Sequence, residues 1–215
     1  MDTVRKFILS ILLLVSINTY SQSTKTKEAV LIADSILKSQ IGERLFQYFI
    51  LSEGSYYSYE DRREKQWTGK FLEKNRLPKS FVTLHFLYHF DYPNVKGIRG
   101  GLWLIVDNNF KLIDTLNFEF IPRFITEDKP LDFISVDSAL TIAKSNSKPN
   151  IYKVSIPTLA YNEKLKQYIY TSSHDLTVVL NSTGKDIGEF EIIKIDAKTG
   201  NLINISKGYK GIVIR

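Results

Sequence analysis

The sequence predicts an α+β protein made of two related units, each with one helix packed on an antiparallel β-sheet. Three observations carry that expectation. Two stretches, one in each half, have the apolar spacing of a helix with one buried face. Each is followed by aromatic and β-branched runs suited to strands. The two halves also end on similar turns, at Asp107 and at Asp196. The length of 215 residues allows one large domain or two small ones. With 43% hydrophobic and 24% charged residues the chain can build a core, which excludes wholesale disorder. Cysteine is absent, so disulfides, a thiol nucleophile, thiolate metal sites and a lipidated N-terminal cysteine are all excluded.

Residues 1–21 read as a secretory signal. Arg5 and Lys6 precede an apolar run, Phe7 to Ile17, broken only by Ser10 and Ser16, and small residues follow at Thr19 and Ser21. A membrane-spanning helix needs about 20 apolar residues, more than this run supplies. Cleavage after Ser21 leaves no transmembrane segment and places the protein in the periplasm or outside the cell. The Ser21-Gln22 junction resembles that of exported Bacteroidota proteins.

The first unit is expected over residues 22–117. Its helix, Lys27 to Ile41, places Ala29, Ile32, Ala33, Ile36 and Leu37 on one face and ends at Gly42. Strand-like runs follow at Leu45–Leu51, Phe81–Phe90, Leu102–Val106 and Lys111–Leu116. Between them, residues 61–79 carry seven basic against three acidic residues on a chain whose net charge is +6. Arg62, Arg63, Lys65 and Lys70 concentrate this charge, and Trp67 and Phe71, four apart, fit an insertion helix pinned to the sheet. An extended connector is expected at 118–133, where Pro122, Pro130 and a charge cluster interrupt the apolar pattern.

The second unit is expected over residues 134–215. Ser135 is a natural N-cap, Asp137 suits the first turn, and Ala139, Leu140, Ile142 and Ala143 form the buried stripe of a helix reaching Ser147. Strand-like runs follow at Tyr152–Ile156, Gln167–Thr171, Leu176–Leu180, Phe190–Ile195 and Asn201–Ile205. Ala29-x-x-Ile32-Ala33 matches Ala139-x-x-Ile142-Ala143, which marks a weak internal repeat.

The A-L-x-I-A core at Ala139–Ala143, together with Ile195-Asp196-Ala197-Lys198-Thr199-Gly200-Asn201-Leu202, resembles a PepSY-type domain. The resemblance covers Phe133 to Ser206 well and Thr26 to Asp114 poorly, because no Thr-Gly follows Asp107. A similar helix-plus-curved-sheet pattern occurs in cystatin-like and nuclear-transport-factor-like folds, bacterial immunity proteins among them. The resemblance implies an exported, non-catalytic domain that acts on peptidases or other envelope proteins. Ala139, Ile142, Ala143, Asp196, Thr199 and Gly200 are structural in that pattern, and it carries over no catalytic residue.

The candidate chemistry is thin. His85 and His89 would make half a zinc site on a helix, but Val82 to Asp91 alternates as a strand, where residues four apart lie about 13 Å from each other. Ser172-Ser173-His174-Asp175 holds the letters of a hydrolytic triad, yet sequence neighbours on extended chain point to opposite faces, so a polar loop or strand end is expected. Gly97, Gly100 and Gly101 lead into another strand instead of a helix, so the loop is a hairpin and no phosphate cradle. No metal or cofactor is expected. Tyr92, Val95 and Ile98 in that loop are expected to be exposed and available for recognition. The basic segment suits an anionic partner surface, and no nucleic-acid motif is present. The expected function is an exported, non-catalytic binding or inhibitory module. A carrier of an apolar small molecule or lipid and an immunity-type protein are the alternatives.

Overall fold

The structure, a computed structural model, describes residues 25–61, 66–72, 77–78, 80–149, 151–180, 184 and 186–211. The expected export signal lies outside the described residues. The protein is α+β, with antiparallel sheets of five and six strands and few helices. It divides into two compact units, one holding residues up to Phe90 with Gly101–Asn117, the other Asp91–Gly100 with Phe118 onward.

In the first unit α1 spans residues 25–41 and stops at Gly42, whose φ of 78° lets its amide reach the Lys38 carbonyl at 2.8 Å. Ala29, Ala33 and Leu37 are buried, and Ile32 and Ile36 are half-buried. The Asp34 carboxylate accepts a hydrogen bond from the Tyr88 hydroxyl at 2.7 Å, which ties α1 to the central strand. The run expected as one strand from Leu45 divides into α2 (Glu43–Phe46) and β1 (Phe49–Leu51). A helical turn buries Leu45, so only the last three residues reach the sheet. β2 (Tyr56–Asp61) and β3 (Gln66–Phe71) then form a hairpin where an insertion helix was expected. Tyr56, Tyr57 and Tyr59 pair with β3 and supply the aromatic content of that hairpin.

β4 (Thr83–Asp91) and β5 (Arg99–Asp107) follow, with burial alternating along β4 as the sequence predicts. β1 and β2 lie end to end along the same side of β4, with Phe49 opposite Phe90 and Tyr56 opposite His85. The gap between them is bridged by serines. The Ser52 amide donates to the Leu87 carbonyl at 2.7 Å, and the Ser55 hydroxyl accepts the Leu87 amide at 3.1 Å. The strand expected at Lys111–Leu116 is reduced to a single bridge at Leu112, because the chain leaves the sheet through exposed Asp114, Thr115 and Asn117.

The second unit contains the expected connector, which is folded and not merely extended. Phe120, Ile121, Phe124 and Ile125 are buried around α3 (Arg123–Thr126), and Phe124 packs edge-on against Phe133. α4 (Val136–Ser145) starts at Ser135, whose hydroxyl accepts the Ser138 amide at 3.0 Å, as expected of the N-cap. It packs on β8 (Gln167–Asp175) and β10 (Asp186–Asp196), burying Ala139 and Ala143. β6 (Lys153–Val154) and β7 (Thr158–Asn162) lie end to end along β8. Here too a serine bridges the gap: the Ser155 amide donates to the Ser173 carbonyl at 2.9 Å and its hydroxyl accepts the Ser173 amide at 2.7 Å. β9 (Val179–Leu180) pairs with the start of β10, and β11 (Leu202–Lys210) covers its far side.

The two Asp turns are built alike. Asp196 Oδ1 accepts the Lys198 and Thr199 amides at 2.8 and 2.7 Å, and Asp107 Oδ1 accepts the Asn109 and Lys111 amides at 2.8 Å each. Gly200 closes the second turn at φ 74°, and a Cβ there would stand 3.3 Å from the Ile142 side chain.

The serine bridges make a measurable claim. Ser55→Ala and Ser155→Ala each leave a half-buried strand amide without its acceptor, at a cost of about 1 kcal/mol. Urea unfolding should show both losses, whereas Ser39→Ala on the exposed side of α1 should leave the midpoint unchanged.

Candidate functional site

Three places in the described residues hold the side chains that could act: the outer face of the first sheet, a sealed polar cluster in the second unit, and a cleft at the turn end of that unit. The outer face is the side of the first sheet turned away from α1. Alternation along β4 and β5 places Thr83, His85, Leu87 and His89 there, with Gly101, Trp103 and Ile105 beside them. The Tyr56 ring stacks on His85 with centroids 4.3 Å apart and planes within 9°, and Trp103 meets Tyr56 edge-on. Thr83 Oγ1 lies 2.8 Å from His85 Nε2. Burial holds His85 below the ordinary imidazole range, against the opposing pull of Asp114. Several large apolar groups here are exposed, Trp103 at 44%, Phe71 at 53%, Ile113 at 50% and Ile50 at 67%, while Leu87 and Ile105 are half-buried.

Several expected contact residues lie elsewhere. Arg62, Arg63 and Lys65 fall outside the described residues, as does the Trp67 side chain. Phe71, expected to help pin an insertion helix, is a half-exposed strand residue, since a hairpin replaces the helix. Lys70 places its ammonium 5.3 Å from the Tyr59 ring centre. Ile98, expected to be exposed, is fully buried in the second unit, where Gly97 packs against Leu159 and Gly100 against Phe120. The tip 91–100 is therefore an anchored loop, and of its expected contact residues Tyr92 and Val95 keep partial exposure.

Ser172–Asp175 are the strand end that the sequence predicts, and the structure adds that Ser172 and His174 are buried. These residues form the end of β8, and Ser172 and His174, two apart, share its inner face beneath α4. Ser172 Oγ lies 3.0 Å from His174 Nε2 and donates to the Ser155 carbonyl at 2.9 Å. Glu191 stands directly opposite His174 on β10. Its carboxylate accepts from the Ser147 hydroxyl and from the Lys148 amide at 3.1 Å. All three residues are buried, and His174 Nδ1 has no hydrogen-bond partner among the described residues. The constellation is not a hydrolytic triad. The carboxylate bonds the α4 exit and not the imidazole, the serine hydroxyl donates to a carbonyl, and all three side chains are buried. Asp175 points to the other face and pairs with Lys210 at 2.7 Å. The letters S-S-H-D were visible in sequence, but their cross-strand partner, sixteen residues past Asp175, gave no signal.

The cleft has a volume of about 420 Å³ and is walled by Phe133, Tyr161 and Tyr168, with Asp196 and Thr199 at one end. Two exposed ion pairs, Lys166 with Glu119 at 2.9 Å and Lys198 with Asp132 at 2.8 Å, stand at its rim. The Tyr168 hydroxyl donates to the Phe120 carbonyl at 2.6 Å, and burial raises its pKa strongly. Among the described residues no group of three or more His, Asp or Glu side chains is placed to hold a metal, and no helix is long and apolar enough to cross a membrane.

Burial of His174 makes stability pH-dependent. Desolvation holds its pKa below 6.5, the carboxylate of Glu191 opposing and Lys144 adding to the shift. The unfolded chain then binds a proton that the folded one resists, so this contribution is complete above about pH 6.5 and fades as pH falls toward the folded value. Urea midpoints from pH 7.5 to 5 should fall in the parent, and His174→Gln should flatten that decline.

No protein-family model, curated protein or solved structure matches the chain.

Proposed function

We propose that this protein is an exported, non-catalytic binding module that engages an envelope protein or peptidase through the outer face of its first sheet. One observation carries the reading: a regular sheet face, closed by a helix on the other side, leaves the large side chains of Ile50, Phe71, Trp103 and Ile113 exposed. Exposed large apolar side chains gathered on one sheet face mark an interaction site. Aromatic residues such as Trp103 and Tyr56 supply large contact area at low cost in side-chain freedom, which suits a binding hot spot. The absence of an accessible nucleophile–base pair in the sealed cluster supports a binding role over a hydrolytic one.

The same reading takes the protein as a tandem of PepSY-like units. Supporting it are the end-to-end edge strands, the serine bridges and the Asp turns that recur in both halves. Export to the periplasm or beyond is part of this proposal, as are the anionic partner surface for residues 61–79 and the absence of a nucleic-acid role. The carrier reading has less support, because the cleft of the second unit is rimmed by ion pairs instead of closed by apolar groups.

The test is capture from an envelope extract by the immobilised protein and by its Phe71→Ser/Trp103→Ser variant. Both side chains are exposed, so thermal unfolding of the variant should match the parent within a few degrees. Retention of one protein by the parent, and at least a tenfold loss with the variant, is expected; equal retention by both would remove this face from the reading.

A further inference from the structure

The outer face of the first sheet has a definite hydrogen-bonding character, and it narrows the kind of chain that can lie on it. Strand pairing sets Phe71 of β3 opposite Tyr56 of β2, and Tyr56 opposite His85 of β4. Trp103 of β5 meets the Tyr56 and His85 rings edge-on, with planes inclined by 71° and 78°. Four neighbouring strands thus contribute one ring each to a band that crosses the sheet. Tyr56 and His85 stack face to face, so the inclined Trp103 ring makes a step beside them. Gly101, two residues before Trp103, is exposed, and a Cβ there would meet only Leu87, at 3.9 Å. The step is therefore flanked by a notch and not by another ridge.

The polar groups in and beside the band are of two kinds. Thr83 Oγ1 lies 2.5 Å from Ser58 Oγ and 2.8 Å from His85 Nε2, so these three bond one another. The Trp103 indole N–H and the Tyr56 hydroxyl have no hydrogen-bond partner among the described residues. An indole nitrogen can only donate, and a phenol hydroxyl has a proton to donate as well. Formal charge stands at the margins. Alternation places Glu60, Asp91, Arg99 and Asp107 on this face, each at or next to a strand end, and Asp114, whose field reaches His85, follows β5 in exposed chain.

An uncharged surface with rings, a step and two donors suits a chain that brings apolar rings and carbonyl acceptors but few N–H groups of its own. A proline-rich segment has that chemistry. Each proline lacks the amide proton, the carbonyls of a polyproline II helix are open to solvent, and the helix is ordered before it binds. A partner α-helix would arrive with its carbonyls already bonded, and a charged segment would lose water with nothing in the band to pair its charges. We propose that the aromatic band of the first sheet is a docking surface for proline-rich segments in the polyproline II conformation, the Trp103 indole N–H and the Tyr56 hydroxyl donating to their carbonyls. This rests on the outer face being the binding surface and names the chemistry of its partner.

Two-dimensional NMR of the labelled protein, titrated with decaproline and with a flexible Gly-Ser peptide of equal length, tests it. Decaproline should shift the Trp103 indole N–H signal and the β4 and β5 amides around it to saturation, and the Gly-Ser peptide should leave them in place. Trp103→Ser should weaken binding by about tenfold or more, and Trp103→Phe, which keeps a ring but removes the donor, by less. Tyr209→Ser, on β11 of the second unit, should leave binding unchanged. The proposal is overturned if decaproline at millimolar concentration moves no signal on this face, if the Gly-Ser peptide moves the same signals equally, or if both Trp103 variants bind like the parent. Should Trp103→Ser fail to fold, Trp103→Phe and the map of shifts in the parent decide the matter. Capture from envelope extract that depends on Phe71 and Trp103, without decaproline binding, would remove the proline-rich partner and leave the face; decaproline binding without a captured protein would do the reverse.

Discussion

Each sheet has one face closed by a helix, and a polar group that enters the closed face is cut off from water and is costly there unless a partner inside it takes its hydrogen bond. In the first unit the Tyr88 hydroxyl meets that requirement by donating to Asp34 on α1, and burial together with that bond raises the tyrosine pKa strongly. In the second unit the corresponding region is richer. Ser172, His174 and Glu191 all lie inside, and their bonds run to the neighbouring edge at Ser155 and to the helix exit at Ser147 and Lys148. The same closure that holds each helix down thus determines which polar side chains the interior can accept. It also determines how many protons they may carry.

Much of the architecture was legible in sequence because periodicity is a local signal. The stripe Ala29, Ala33, Leu37 and the cap Ser135 predicted both long helices, and the alternation through His85 and His89 predicted β4. The Asp196–Gly200 turn follows from residue types that bond their own backbone. What failed was whatever depended on distant partners. β2, β3 and β7 lack a strong alternating pattern, and their place comes from pairing: β2 with β4, β3 with β2 and β7 with β8. Ile98 lies among loop residues with glycines on both sides, and only the tertiary fold reveals that it is buried. For the candidate sites, the polar cluster needs Glu191 across a strand pair, and sequence proximity pointed to Asp175 instead.

The distribution of accessibility separates two kinds of chemistry. In the second unit Ser172, His174 and Glu191 are enclosed, while the outer face of the first sheet leaves His89 in water beside large apolar groups. Enclosed polar groups on rigid strands stabilise and specify a packing; they turn over nothing without a path for substrate. Exposed rings on a regular sheet gain from being covered. The cleft of the second unit lies between these extremes, with aromatic walls and a rim whose charges are already paired.

The interrupted edge of the second sheet has a consequence for life at high concentration. A long, flat, unpaired strand is a template on which other chains can add and begin to aggregate. Here the outer edge beside β8 is cut into pieces of two and five residues, with Pro157 and the Ser155 bridge in the interval. An incoming strand would find no continuous row of donors and acceptors to zip along. The serine that repairs the sheet from within therefore also helps to keep its rim unattractive to copies of itself.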